Sequence, residues 1–271
     1  MQARLARPIV IAAGAACVVA AVIVAAVLLP GFTKPTPAGE FKGYTLTTTG
    51  GVAGVQHTVE VTADGTALFV DEEPVAGVLP RRSVERQRVL LADRRLAEEG
   101  GPRHPDSRCA DGFQHTLRVD TLTVSTYACG RTEKTPVFDE IRSLTTKDGL
   151  RPLSDDRPEF RGLRAEVRRP RAGIDAAVAI DAAGHVTVDR ADSPPERAQL
   201  DTGTEDALRL LFAEPLVAPS ADSSRSCVPE DTSVYQVTPT GGPTTTVSPC
   251  ERMTDLRWVA RLRILDNAIG A

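Results

Sequence analysis

Five positions recur at one spacing and limit what this chain can fold into. Gly43, Ala53, Gly54, Val59 and Gly65 are matched without a gap by Gly162, Ala172, Gly173, Val178 and Gly184, each 119 residues further on. Near the end of each copy, Val137, Phe138, Ile141 and Leu144 are answered by Trp258, Val259, Leu262 and Leu265 at an offset of 121. A helical stripe matched residue by residue is harder to obtain by chance than a matched glycine. The chain is therefore read as two copies of one module. Module one covers residues 42–150 and module two covers 162–271. Residues 151–161, rich in Pro, Asp and Arg, form the linker between them.

Within module one, Tyr44 to Thr48 and Val55 to Val61 have strand composition and flank the turn Thr49-Gly50-Gly51-Val52-Ala53-Gly54. A short strand follows at Ala67 to Val70. Between Ser83 and Glu99, the residues Val89, Ala92 and Leu96 mark a helical stripe that stops at Gly100-Gly101. Phe113, His115, Leu117 and Val119 alternate with polar residues, as do Leu122, Val124 and Thr126 after Asp120-Thr121, which predicts a hairpin. Thr135-Pro136 supplies a cap and a first-turn proline for the helix that carries Val137, Ile141 and Leu144. Module two repeats this order. Its first helix begins near Thr204, whose hydroxyl is placed to cap it, and its hairpin turns at Thr240-Gly241-Gly242-Pro243. Antiparallel strands with helices on one face are α+β. The expectation is two tandem α+β modules, each a small antiparallel sheet with two helices packed on it.

The amino terminus carries a different signal. Ile9 to Leu29 is an apolar run between Pro8 and Pro30, preceded by Arg4 and Arg7. As a helix it is about 31 Å long, enough to cross a bilayer core. The expected organisation is a cytoplasmic tail at 1–8, a transmembrane helix at 9–29 and a proline-rich stalk at 30–41. The flanking arginines place the amino terminus in the cytoplasm and the bulk of the chain outside it. A cleaved signal peptide and a lipid-modified Cys17 are the alternatives. In an oxidising compartment, the even set Cys109, Cys129, Cys227 and Cys250 predicts two disulfides, one per module as Cys109–Cys129 and Cys227–Cys250. These cysteines lack the CxxC clustering of a zinc site, so no metal is expected.

Composition narrows the partners. A formal net charge of −4 leaves no basic footprint for nucleic acid, and an aromatic fraction of 4% leaves few platforms for stacking bases. Enzyme signatures are missing. His57, His104, His115 and His185 are scattered outside any HExxH pairing, and there is neither a GxSxG elbow nor an SxxK. The acidic pairs in Asp71-Glu72-Glu73 and Asp155-Asp156 sit in turn or linker sequence, where solvated charge is expected. No catalytic residue and no cofactor are expected. Two features remain as candidate binding elements. One is the glycine turn Gly50, Gly51, Val52, Ala53 and Gly54; a strand follows it, not the helix that phosphate binding needs. The other is the basic cluster Arg164, Arg168, Arg169 and Arg171 beside Arg161, suited to an anionic partner, although a charge run is ordinarily a solvated face.

The glycine turn between two strands, the strand Asp111-Gly112-Phe113-Gln114-His115-Thr116-Leu117-Arg118-Val119 and the closing helix from Thr135 to Leu144 resemble the emfourin family, small bacterial inhibitors of protealysin and related thermolysin-type metalloproteases. The resemblance covers residues 43–146 and, in degenerate form, 162–265, where Arg169 and Pro170 stand in place of both glycines of the turn. It implies a compact α+β module that occupies a protease cleft, with a secreted metalloprotease as the protein partner. The chain is thus expected to be a membrane-anchored, extracytoplasmic, noncatalytic binding protein resembling a metalloprotease inhibitor. The alternative is a structural or accessory envelope ectodomain that binds a membrane protein or wall polymer and inhibits nothing.

Overall fold

A computed structural model of the chain describes residues 41–51, 54–99, 112–128, 135–154, 159–170, 173–213, 215–218, 233–248 and 255–270. Module one contributes β1 (Tyr44–Gly50), β2 (Val55–Val61), β3 (Thr66–Val70), β4 (Val75–Val78), α1 (Arg81–Leu91), α2 (Arg94–Glu99), β5 (Phe113–Val119), β6 (Leu122–Ala128) and α3 (Pro136–Leu144). Module two contributes β7 (Leu163–Arg169), β8 (Ile174–Ile180), β9 (His185–Arg190), β10 (Ser193–Gln199), α4 (Thr202–Phe212), β11 (Val234–Pro239), β12 (Thr245–Val247) and α5 (Leu256–Gly270). Each module forms a six-stranded antiparallel sheet. The orders correspond strand for strand: β4-β3-β2-β1-β5-β6 and β10-β9-β8-β7-β11-β12.

Register carries the repeat down to single residues. Tyr44 faces Val61 and Val59 faces Phe69 in the first sheet; Leu163 faces Ile180 and Val178 faces Val188 in the second. Each pair is displaced by the 119 residues that separate the glycines. Because side chains alternate across a strand, a shift by one would have turned the whole apolar set to the wrong face.

One face of the first sheet carries Tyr44, Leu46, Val59, Val61, Leu117 and Val124 and is covered by Leu90, Leu96, Val137, Phe138 and Ile141 of α1 to α3. Phe138 is 1% exposed, and burial of such a side chain is worth about 1.5–3 kcal/mol. The other face behaves differently. Leu68, Val70 and Ala76 join a second core that consists otherwise of module-two residues and of Leu153 and Phe160 from the segment between the modules. The helices α4 and α5 are thus buried between their own sheet and β3–β4 of module one. This packing accounts for Leu208, Leu211, Trp258 and Leu265 all being nearly inaccessible.

Several elements depart from their sequence-based expectation. The expected small sheet of two strands, a short strand and a hairpin is corrected to six strands in each module, because β4 and β10 carry weak strand signals: β4 has four residues, and β10 is disguised by Pro194, Pro195, Glu196 and Arg197. Module one has three helices among the described residues, since the stripe from Ser83 to Glu99 breaks between α1 and α2. Val89, expected inside, is 52% exposed, while neighbouring Leu90 is 3% exposed. Capping differs too. Thr135 makes no side-chain cap bond; the carboxylate of Glu99 instead accepts from the amides of Val137 at 3.0 Å and Phe138 at 2.9 Å. Asp201, rather than Thr204, caps α4 by accepting from the amides of Gly203 and Thr204. At the other end of α4, Arg261 donates from Nε to the Leu211 carbonyl at 3.1 Å, with its guanidinium over Trp258 and Phe212. A cation there satisfies an orphan carbonyl at the negative helix end.

Two further expectations are corrected. No helix among the described residues is long and apolar enough to cross a membrane. The longest, α5, has 15 residues and includes Arg257, Arg261, Arg263 and Asp266; at about 22 Å it falls short of a bilayer core of about 30 Å. The transmembrane helix, the single-pass architecture and the cell-membrane localisation are withdrawn on this finding, and residues 9–29, on which they rested, lie outside the described residues. The disulfides are withdrawn likewise. No cysteine pair able to form one stands among the described residues, and Cys109, Cys129, Cys227 and Cys250 all lie outside them. Where described, both hairpins are held by continuous main-chain pairing.

Candidate functional site

The glycine turn stands at one end of the first sheet. β1 ends at Gly50 with φ 128°, Gly51 follows with φ 73°, and Gly54 leads into β2 with φ 63°. The amide of Gly54 donates to the Gly51 carbonyl at 3.1 Å, and that of Gly51 donates to the Gly112 carbonyl at 3.3 Å. A side chain is excluded at Gly50 because its Cβ would lie 2.3 Å from the Gly112 carbonyl oxygen. At Gly51 a Cβ would lie 3.0 Å from the tip of the Phe113 ring, which would have to give way by a few tenths of an ångström. At Gly54 a Cβ would meet nothing within 4 Å. The turn is therefore anchored on the start of β5 by its first two glycines and open to solvent at its last. Val52 and Ala53, the other members of this candidate loop, lie outside the described residues. Beside it, Phe113 is 37% exposed, one of three large apolar side chains that stand out among the described residues.

In module two the turn keeps one of these features. Gly173 has φ 63°, its amide donates to the Pro170 carbonyl at 3.1 Å, and a Cβ would again meet nothing within 4 Å. Arg169 replaces Gly50 without adopting positive φ.

The basic cluster is not one patch. Arg164 and Arg168 lie on the exposed face of β7, and Arg168 pairs with Asp175 across the strands at 3.8 Å. Arg169 points to the opposite face, where it donates to the Tyr235 hydroxyl at 2.6 Å and forms an ion pair with Asp266 of α5. Arg171 lies outside the described residues. Tyr235 donates to Asp266 at 2.8 Å. Burial pushes the Tyr235 hydroxyl up to about 12 and raises the Asp266 carboxyl above its usual range.

The corresponding place in module one holds His115, which sequence reasoning treated as an ordinary strand residue. It is 7% exposed. Its Nε2 lies 3.2 Å from Nη1 of Arg142, and its Nδ1 lies 2.9 Å from Oγ1 of Thr48. A guanidinium can only donate, so Nε2 accepts and the proton sits on Nδ1, which donates to Thr48. Burial lowers the affinity of this ring for a second proton, and Arg142 lowers it further. With both nitrogens engaged, His115 is not a free general base. The period-two alternation of β5 and β7 was the available signal: it puts His115 and Arg169 on the covered faces of their sheets.

The remaining candidates are structural. Asp71 pairs with Lys147 at 2.9 Å, and the Glu72 carbonyl accepts from Asn267 of α5 at 2.7 Å, so the acidic turn fastens module one to module two. Asp155 and Asp156 lie outside the described residues. A shallow depression of about 370 Å³ at the far end of the first sheet includes Lys42 and Asp120, which pair with each other at 3.0 Å. No group of three or more His, Cys, Asp or Glu side chains among the described residues could hold a metal ion. Compared with known proteins, the chain matches no family model, no curated protein and no solved structure.

Proposed function

We propose that the protein is a noncatalytic binding protein that presents the Thr49–Gly54 turn of module one to a protein partner, in the manner of a stoichiometric inhibitor of thermolysin-type metalloproteases. The observation that carries this reading is the exposure of Gly54 and of Phe113 beside it. Its first two glycines are locked against Gly112 and Phe113, Gly54 opens onto empty space, and Phe113 stands beside it. A loop whose base is already held by main-chain bonds loses less conformational entropy on binding, which favours affinity. The class of partner comes from the resemblance of residues 43–146 to emfourins. Module two, with Arg169 committed to Tyr235 and Asp266, is assigned a supporting role.

The test is a titration of the purified protein against thermolysin-type proteases, with peptide hydrolysis as the readout. Inhibition that saturates at a fixed molar ratio, and that is weakened by Phe113→Asp, is expected. Undiminished hydrolysis in the presence of excess folded protein sinks the proposal.

A further inference from the structure

His115 stands on the same ladder as the anchor of the glycine turn. β5 pairs with β1 so that Phe113 lies opposite Gly50, Gln114 opposite Thr49 and His115 opposite Thr48. The turn is held at the first of these pairs, where the Gly51 amide donates to the Gly112 carbonyl at 3.3 Å. Next to that anchor, Nδ1 of His115 donates to Oγ1 of Thr48 at 2.9 Å and ties the same two strands together. The other ring nitrogen makes this tie sensitive to protons. Nε2 accepts from Nη1 of Arg142 at 3.2 Å, and it accepts only while the ring is neutral.

A proton taken from solvent by Nε2 turns that acceptor into a second donor, aimed at a guanidinium that can only donate. Two cations then stand together around a side chain that is 7% exposed. Burial and Arg142 both oppose this proton, and Asp139 of α3, the one carboxylate acting on the ring, offsets them only in part. The strand neighbours Thr48 and Thr126 carry no charge. On β2, His57 lies opposite Thr48, half exposed and 3.8 Å from Asp71. On α2, Glu99 is engaged with the first amides of α3. Arg142 is 46% exposed and 3.5 Å from Asp139, so it is free to turn towards that carboxylate and water. The imidazolium is then left with a buried N–H and no acceptor, which is costly. His115 is the third residue of β5, so water reaches it at least cost by opening the ladder from the Phe113–Gly50 end, and strand ends open most readily.

We propose that His115 is a proton-sensitive positioning residue for the Thr49–Gly54 turn: neutral, it keeps the turn fixed on β5, and protonated, it releases the turn and with it the protein partner. The release of a partner rests on the binding role proposed above; the opening of the ladder does not. A preorganised loop binds more tightly than a loosened one, so affinity falls as the anchor opens.

The test is amide hydrogen exchange on the whole protein between about pH 7.5 and 5.5, read by mass spectrometry and corrected for the intrinsic pH dependence of exchange. Peptides containing Thr48–Gly51 and Phe113–His115 should lose protection below about pH 6.5, by at most about tenfold per pH unit, the limit for one proton. His115→Gln keeps a donor and an acceptor but does not titrate, and should abolish the response. Arg142→Gln, at a half-exposed position, keeps an N–H for Nε2 without the charge and should shrink it. His57→Gln should leave it intact. Wild-type protection that ignores pH, a response that survives in His115→Gln, or one that vanishes in His57→Gln overturns the proposal. In a second arm, the inhibition constant against a thermolysin-type protease should rise more between pH 7.5 and 5.5 for the wild type than for His115→Gln, a comparison that cancels the protease's own pH dependence. No inhibition at either pH, with the exchange response present, overturns the partner and its release while establishing the opening controlled by His115.

Discussion

Substituting alanine at Gly50 and at Gly54 separates two roles of glycine that look identical in the sequence. At Gly54, φ is 63° and a Cβ meets nothing within 4 Å, so only the left-handed backbone resists a side chain. That costs about 1–2 kcal/mol. At Gly50, φ is 128°, a region nearly closed to other residues, with strain of about 1–3 kcal/mol. In addition the Cβ would lie 2.3 Å from the Gly112 carbonyl oxygen. The obstacle is backbone, so relief requires opening the pairing of Gly50 with Phe113, an overpacking cost of another 1–3 kcal/mol or so. For a cooperative unit of this size, 1 kcal/mol moves Tm by about 2–4 °C. Thermal melts should therefore show a loss of about 2–8 °C for Gly54→Ala and about twice that or more for Gly50→Ala. Gly173→Ala is the internal control: it shares φ 63° and open space with Gly54, and its loss should match. The reasoning fails if Gly54→Ala costs as much as Gly50→Ala, or if the two matched positions differ by more than their strain allows.

Leu68, 2% exposed, belongs to the core built mainly by module two. Leu68→Ala should cost about 2–5 kcal/mol and lower the denaturation midpoint while leaving one transition; two separated transitions would contradict a shared core. Burial and Arg142 depress the folded-state affinity of His115 for a proton below its ordinary value of 6.5, so the unfolded chain binds that proton more readily. Its contribution to stability is full above about pH 6.5 and is lost as pH falls from there through the depressed folded value. Urea midpoints measured at pH 7.5 and 5.5 should differ more for the wild type than for His115→Gln, and equal differences would exclude His115 as the titrating group.

Much of this architecture is legible in the sequence, and what is not has identifiable causes. The glycine spacing and the alternation around His115 and Leu117 locate both sheets, because a period of two is strict wherever one face is buried. β3 carried a further message. Ala67-Leu68-Phe69-Val70 is continuously apolar, the mark of a strand buried on both faces, and all five residues of β3 are buried. That pattern foretold a second layer against module one. The segment between the modules hid its role because, among its described residues, the core takes Leu153 and Phe160, and two apolar residues among charges look like linker. The turn was recognised, but its division of labour was not: the carbonyl of Gly112 that forbids a side chain at Gly50 is remote in sequence. Arg169 was grouped with its neighbours by composition, although alternation sends it to the face opposite Arg168.

The shared core explains why the two copies diverged where they did. Once α4 and α5 lie between two sheets, the outer faces of those helices must suit module one, and the equivalent faces of α1 to α3 need not. Gly203 shows the constraint: a Cβ there would meet Val75 of β4 at 2.6 Å. Helix α5 buries Trp258, Ala260, Arg261, Leu262, Ile264, Leu265, Ala268 and Ile269, most of its circumference, whereas α3 buries only Val137, Phe138 and Ile141. A helix buried on so much of its circumference belongs in an interior layer. The named contacts of module two with the first sheet fall on β2, β3 and β4, through Glu60, Leu68, Val70, Val75 and Ala76. The glycine turn also contacts β5, and β6 lies beyond β5 in the strand order. Module two thus grips one side of the first sheet, and the proposed binding turn draws on the other. In a duplicated protein this is a physical route to specialisation: one copy supplies a second layer of core, and the other is released to evolve a surface.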